Sequence, residues 1–385
     1  YAPGPQVLAE ALGLSGHAES VYARVKAKLA REPVEDYRID FEDGYGNRPD
    51  AEEDAEAVRS AHEVARGMKE GSLPPFIGIR IKPLSGELHP RAIRTLDIFV
   101  TALTGATRGK LPSGFVVTLP KVTIPEQVAA AAQLLARLER RTRLAPGSLK
   151  LEIMVETPQS ILGPGGEVPL RALVAAGAGR CRGAHFGTYD YTALCNITAA
   201  HQAMDHPACD FARHVMQVSL AGSGLLLSDG ATNVMPVPPH RAGALGLSAE
   251  QIRENHTVVR RAWRLHYDHV RHSLVHAYYQ GWDLHPGQLP TRYAAVYAFF
   301  LDGLDAAARR LRGFTEKAAQ ATLLGDVFDD AATGQGLLNF FLRGLSCGAL
   351  TTEEAARTGL TVEEIKGRSF LKILEGRMRR GSRSK

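Results

Sequence analysis

Seven short apolar runs recur along this chain at spacings of tens of residues, and nearly all finish on ionisable side chains. They are "YRIDFED" (37–43), "FIGIRIK" (76–82), "FVVTLPK" (115–121), "KLEIMVE" (150–156), "CRGAHFG" (181–187), "LLLSDG" (225–230) and "WDLHP" (282–286). Between them lie segments of helical period, among them 51–70, "EQVAAAAQLLARLERR" (126–141) and 249–279. Strands alternating with helices imply parallel βαβ units. Tyr1, followed by "APG", reads as the end of an eighth strand. Eight such units close a (β/α)₈ TIM barrel, and this is the expected α/β fold class, with residues 1–293 as the barrel. The chain starts at Tyr1 rather than Met, so the first strand is expected to be truncated here.

From about Ala294 the pattern becomes helical. "YAAVYAFFLDGLDAAARRLRGF" (293–314) repeats apolar residues at helical spacing. Two capping-box starts follow, Thr351 with Glu354 and Thr361 with Glu364. Residues 294–385 are therefore expected to form a helical C-terminal extension. Its apolar stretches "YAAVYAFF" and "LLNFFLRGL" (337–345) suggest a surface that seeks a partner, hence a homo-oligomer.

Composition excludes several classes. The 385 residues are 44% hydrophobic and 23% charged, enough for a large core. Much of the net charge of +5 lies in the tail "GRMRRGSRSK" (376–385), expected to be a solvated end. No stripe of Arg and Lys interleaved with aromatics is present, so no nucleic-acid partner is expected. Cys181, Cys195, Cys209 and Cys347 form no CxxC pair and read as reduced thiols of a cytoplasmic protein. No apolar run is long enough to span a membrane.

In a (β/α)₈ barrel the C-terminal strand ends converge on one mouth. There they would bring together Asp40, Glu42 and Asp43, then Arg80 and Lys82, Lys121, Glu156, Asp190, Asp229 and His285. Carboxylates gathered in a pocket repel one another, and burial adds to the cost. A hard divalent cation relieves both, which points to magnesium or manganese with Glu156 and Asp190 as ligands. Arg80 offers a planar fork to a carboxylate or an enolate oxygen.

Other features read as structure. "GPGGE" (163–167) lacks the Lys-Ser/Thr of a P-loop and is expected to be an ordinary loop. His269, His272 and His276 share one helical face, read as a solvated or interhelix face rather than a metal patch.

Taken in order, these motifs resemble those of the HpcH/HpaI aldolase and citrate lyase beta-subunit family, in the phosphoenolpyruvate/pyruvate TIM-barrel superfamily. "YAPG", "IDFEDGYG", "IGIRIKP", "LPKV", "VETPQSI", "GAHFGTYDYTA", "LLLSDG" and "GWDLHPGQ" carry the likeness across most of residues 1–290. Two positions depart from the family pattern, Arg80-Ile81-Lys82 where Arg-x-Asn is usual and Gly187-Thr188-Tyr189-Asp190. Segment 191–224 aligns with nothing in it.

The resemblance implies a magnesium-dependent carbon–carbon lyase acting through a metal-stabilised enolate. Its substrate would be a small hydroxy or keto acid such as pyruvate, or a CoA thioester. Glu156 and Asp190 would hold the metal. Arg80 would hold the oxyanion, with Pro158 and His285 also lining the substrate. Asp40, Glu42, Asp43, Lys121 and Asp229 complete the catalytic set; Lys121 neutralises or positions the acids. Two other readings share the fold: a phosphotransfer enzyme using phosphoenolpyruvate, and an inactive barrel serving in binding or assembly.

Overall fold

The computed structural model describes residues 1–243, 246–316, 322–324, 327–329, 331–373 and 375–376. The basic tail read as a solvated end lies beyond them, save Gly376. The chain divides into two compact units, residues 32–233 with 275–286, and residues 1–31 with 234–274 and 287–385.

The first unit holds a parallel sheet of six strands: β1 (Asp36–Asp40), β2 (Phe76–Arg80), β3 (Val116–Leu119), β4 (Lys150–Val155), β5 (Cys181–Phe186) and β6 (Leu226–Ser228). Their order in the sheet is their order in the chain. A doubly wound sheet reverses at a switch point, whereas a sheet that keeps adding strands on one side is the pattern of a barrel wall. The seventh expected strand contributes one parallel bridge, Trp282 to Ala231, and residues 1–4 carry no strand.

Strand periodicity explains the odd composition of these runs. Successive side chains point to opposite faces. On β4, Leu151, Ile153 and Val155 join the apolar core, packed with residues such as Val64, Phe99, Leu135, Leu173 and Met216 from the flanking helices. Glu152 and Met154 face the other way, and Glu156 continues that row. In register, Thr118 pairs with Glu152 and His185 with Met154, and the row runs on across the sheet from Thr118 to Arg80 and from Arg80 to Asp40. Glu156 is therefore not an apolar run gone wrong but the last position of the strand's polar face.

The second unit is mainly helical. Its long helices are Ala18–Arg31, Ala249–Val275 (all but the last residue), Leu289–Glu316 and Ala331–Ser346. Val21, Trp263, Phe300, Leu311, Leu338 and Phe341 lie in its core. Both capping boxes form: Thr351 and Thr361 each accept from the backbone of the glutamate three residues on, whose side chain reaches back. Of the row His269, His272 and His276, the first is buried and the other two are half-buried, so it is not a fully solvated face.

Two features differ from expectation. A short antiparallel pair, β7 (Thr322–Leu324) with β8 (Val327–Asp329), interrupts the helices. The stretch "YAAVYAFF" is also almost wholly buried in this unit's own core, as are Leu337, Leu338 and Phe341. These apolar faces already have partners within the chain, so they give no argument for self-association. No described helix is long and apolar enough to cross a membrane.

Candidate active site

The C-terminal ends of β1 to β5 carry a connected cluster of charges. Asp40 closes β1 and takes both hydrogen bonds of the Arg80 fork, from Nε at 2.7 Å and Nη2 at 2.5 Å. The backbone N–H groups of Glu42 and Gly44 fill its remaining positions. Burial opposes ionisation of Asp40, but Arg80 and these N–H groups outweigh it and lower the pKa. With its oxygens so engaged, Asp40 holds Arg80 rather than serving as a base. The sequence expectation left the Arg80 fork open to substrate; in the structure Asp40 occupies it.

The third guanidinium nitrogen, Nη1, lies 3.1 Å from Glu42 Oε2 and 3.6 Å from Met154 Sδ. The Arg80 plane sits 5.1 Å from the Trp282 ring. Lys82, two residues on, binds the Phe41 carbonyl and the buried Glu53, which ties β2 to the helix at 50–70.

Lys121 follows β3 in a left-handed conformation, φ +50°. Its ammonium contacts Glu42, Asp43 Oδ2 at 2.9 Å and Asp190 Oδ2 at 3.3 Å. Its backbone N–H donates to Glu156 Oε1 at 2.7 Å. Burial raises the pKa of Glu42 despite Arg80 and Lys121, whereas Lys121 keeps that of the more exposed Asp43 low.

Glu156 is only 1% exposed. Burial raises its pKa to about 7; Lys121 opposes this and Asp190 adds to it. Among the described residues, no side-chain cation is hydrogen-bonded to it. Gly187 makes room for it, because a Cβ there would lie 2.4 Å from Glu156 Cβ and 2.5 Å from Oε2. The following Thr157 caps a short helix that Pro158 opens, so Pro158 has a local structural role.

Asp229 and His285 stand differently. Asp229 follows β6 fully buried, and both its oxygens accept from Nη1 of the equally buried Arg213, at 3.0 and 2.8 Å. His285 is half-buried in the segment that joins the sheet at Trp282. The "GPGGE" loop is closed on its own Glu167, which accepts from the N–H of Gly165.

A second polar group on the same sheet face was not singled out by sequence. Glu152 accepts two bonds from Arg38, at 2.6 and 2.9 Å, one from Thr118, and contacts His185 Nε2 at 2.9 Å. Trp282 Nε1 donates to His185 Nδ1 at 2.8 Å. An indole N–H only donates, so Nδ1 accepts and Nε2 carries the proton toward Glu152. Burial opposes ionisation of Glu152, yet His185 and Arg38 hold it far below the usual carboxylate range. The signal was available in the period of two that relates Glu152 to Glu156.

The donors at the strand ends suit a hard cation. Glu156 and Asp190 follow adjacent strands and present oxygen only. Among the described residues, no three carboxylates of this cluster bring oxygens within 4.8 Å of one another. Such a site would draw two protein ligands and leave the rest to water, a pattern magnesium accepts.

A family model described as a domain of unknown function, DUF6986, matches residues 1–373. The chain belongs to that family. No curated protein matches it. Among solved structures, it is similar to a citrate lyase from Burkholderia xenovorans LB400, with 17% identity over 89% of this chain and 94% of that one, TM-score 0.62. A Haloferax volcanii malate synthase in its lead(II) complex matches 97% of this chain and 93% of its own at 16% identity, TM-score 0.49. The citrate lyase likeness extends to the fold, in line with the motif resemblance, while by sequence family the chain is DUF6986.

Proposed function

We propose that this DUF6986 chain is a magnesium- or manganese-dependent carbon–carbon lyase acting on a small hydroxy or keto acid or its CoA thioester. The observation that carries the reading is one cluster at the carboxyl ends of five neighbouring parallel strands. In it Lys121 contacts Glu156 through its backbone N–H and Asp190 and Glu42 through its ammonium, and Glu42 in turn contacts the buried Arg80. Ligands of parallel α/β sheets bind at those ends. The citrate lyase fold supports the same class.

A cation bound there supplies Lewis acidity to paired keto and carboxylate oxygens. Arg80, fixed by Asp40, directs Nη1 at the oxygen where negative charge develops. Lys121 balances the acids around it. The proton of a substrate hydroxyl would pass to Glu42, whose pKa burial raises, once its oxygens are released from Lys121, Arg80 and the Asp43 N–H. Closure of the sheet into an eight-stranded barrel, the 1–293 and 294–385 division, a cytoplasmic location and self-association belong to the proposal. Light scattering that gives a 41.6 kDa particle would remove the last of these.

The test needs no known substrate. Protein with magnesium should speed exchange of the pyruvate methyl protons in deuterated buffer, and Glu156→Gln should abolish the effect. Exchange at the buffer rate with pyruvate and with small CoA thioesters alike would refute the lyase reading.

A further inference from the structure

Both candidate metal ligands are held by one residue. The Lys121 backbone N–H binds Glu156, and its ammonium reaches Asp190 while also contacting Glu42 and Asp43. The Asp190 contact, at 3.3 Å, is the longest of the three, and the Lys121 side chain is 29% exposed. A lysine ammonium on a four-carbon stem is a mobile point charge. The backbone bond to Glu156 is independent of where that stem points.

We propose that Lys121 is a built-in counter-cation of this site: its ammonium holds Asp190 in the metal-free protein and gives it up when a divalent cation binds. The inference rests on Glu156 and Asp190 being the metal ligands. The ammonium then stays with Glu42 and Asp43, and the backbone N–H keeps Glu156 in place. Of the contacts made by the Lys121 side chain, only the ion pair with Asp190 breaks. Two side-chain cations, Arg80 and Lys121, stand among five carboxylates here, so the protein itself neutralises part of their charge. Lys121 thereby sets a threshold that a metal must exceed.

Calorimetric titration of manganese(II) into the metal-stripped full chain tests this, comparing wild type with Lys121→Met, which keeps the stem and removes the charge. The expected result is about tenfold tighter binding in the variant, since a competing charge within a few ångströms is gone. Equal or weaker binding overturns the proposal. Lys121→Arg keeps the charge and serves as a folding control, with affinity expected at the wild-type level. Displacement is read directly by the ¹⁵Nζ resonance of Lys121, which should shift when magnesium is added to wild type. A resonance that ignores magnesium in wild type, despite measurable binding, contradicts displacement. Absence of binding in wild type and Lys121→Met alike removes Glu156 and Asp190 as ligands, and the inference falls with them.

Discussion

Two polar groups share one face of the same parallel sheet, and they differ in how completely their charges are matched. Glu152 lies among Arg38, Thr118 and His185, with His185 in turn fixed by Trp282. Every strong donor there meets an acceptor, and the carboxylate is held ionised. Beyond Met154 on the same polar row, Glu156 is also buried, receives among the described residues a single backbone N–H, and has its pKa pushed up to about 7. A matched group stabilises the fold. An unmatched one is tolerated where something else completes it, which is why perturbed carboxylates mark functional sites.

The widest separation between the two regions should come in stability. Glu152→Gln takes from the buried Arg38 one of its two counter-charges, leaving Asp36, and should cost about 3–5 kcal/mol. Glu156→Gln removes a carboxylate that burial disfavours, and metal-free protein should lose nothing or gain. Urea unfolding of both variants in chelator reads this. Equal destabilisation would erase the distinction drawn here.

The pH dependence of that stability comes next. The Glu156 pKa is raised above its ordinary 4.5 to about 7. Between those values the folded state keeps a proton that the unfolded chain has released. This group's contribution therefore falls as pH rises through the window, by on the order of 3 kcal/mol at 1.36 kcal/mol per pKa unit. The difference in stability between wild type and Glu156→Gln should grow from pH 4.5 to 7 and then level off. A difference that is flat across that window would mean Glu156 is not held protonated by burial.

How much of this was legible beforehand follows from the same periodicity. Buried parallel strands read as apolar runs, so β1 to β6 could be located and their polar ends named. Asp40, Glu42, Asp43, Arg80, Lys121, Glu156 and Asp190 are joined by contacts in the structure as the strand-end argument required. The bidentate engagement of Arg80 by Asp40 was not legible, because it depends on which side chains stand side by side in register. Arg213 lay in a segment without a recognisable motif, and its burial against Asp229 is a tertiary fact. The β7–β8 pair was hidden because three-residue strands give too short a run to show a period.

Catalysis offers a smaller contrast. Arg80→Lys keeps charge but loses the fork that Asp40 orients. It should slow pyruvate proton exchange on the order of 100-fold, about 2.7 kcal/mol, with little change in unfolding. Unchanged exchange accompanied by a lower melting temperature would make Arg80 structural, like Arg38.

The smallest effect probes how the unmatched carboxylate is aimed. Gly187→Ala places a methyl group against Glu156 Cβ and Oε2. Cation affinity should drop about tenfold, as when a ligand's supporting contacts are altered. Full affinity in this variant would show that Glu156 is not aimed by the cradle at Gly187.

The central claim is that the unmatched charge at the strand ends is completed by a divalent cation. Calorimetric titration of manganese(II) into metal-stripped wild type, Glu156→Gln and Asp190→Asn tests it directly. The account predicts one binding event per chain in wild type and its loss in both variants. Binding of unchanged affinity in both would contradict it.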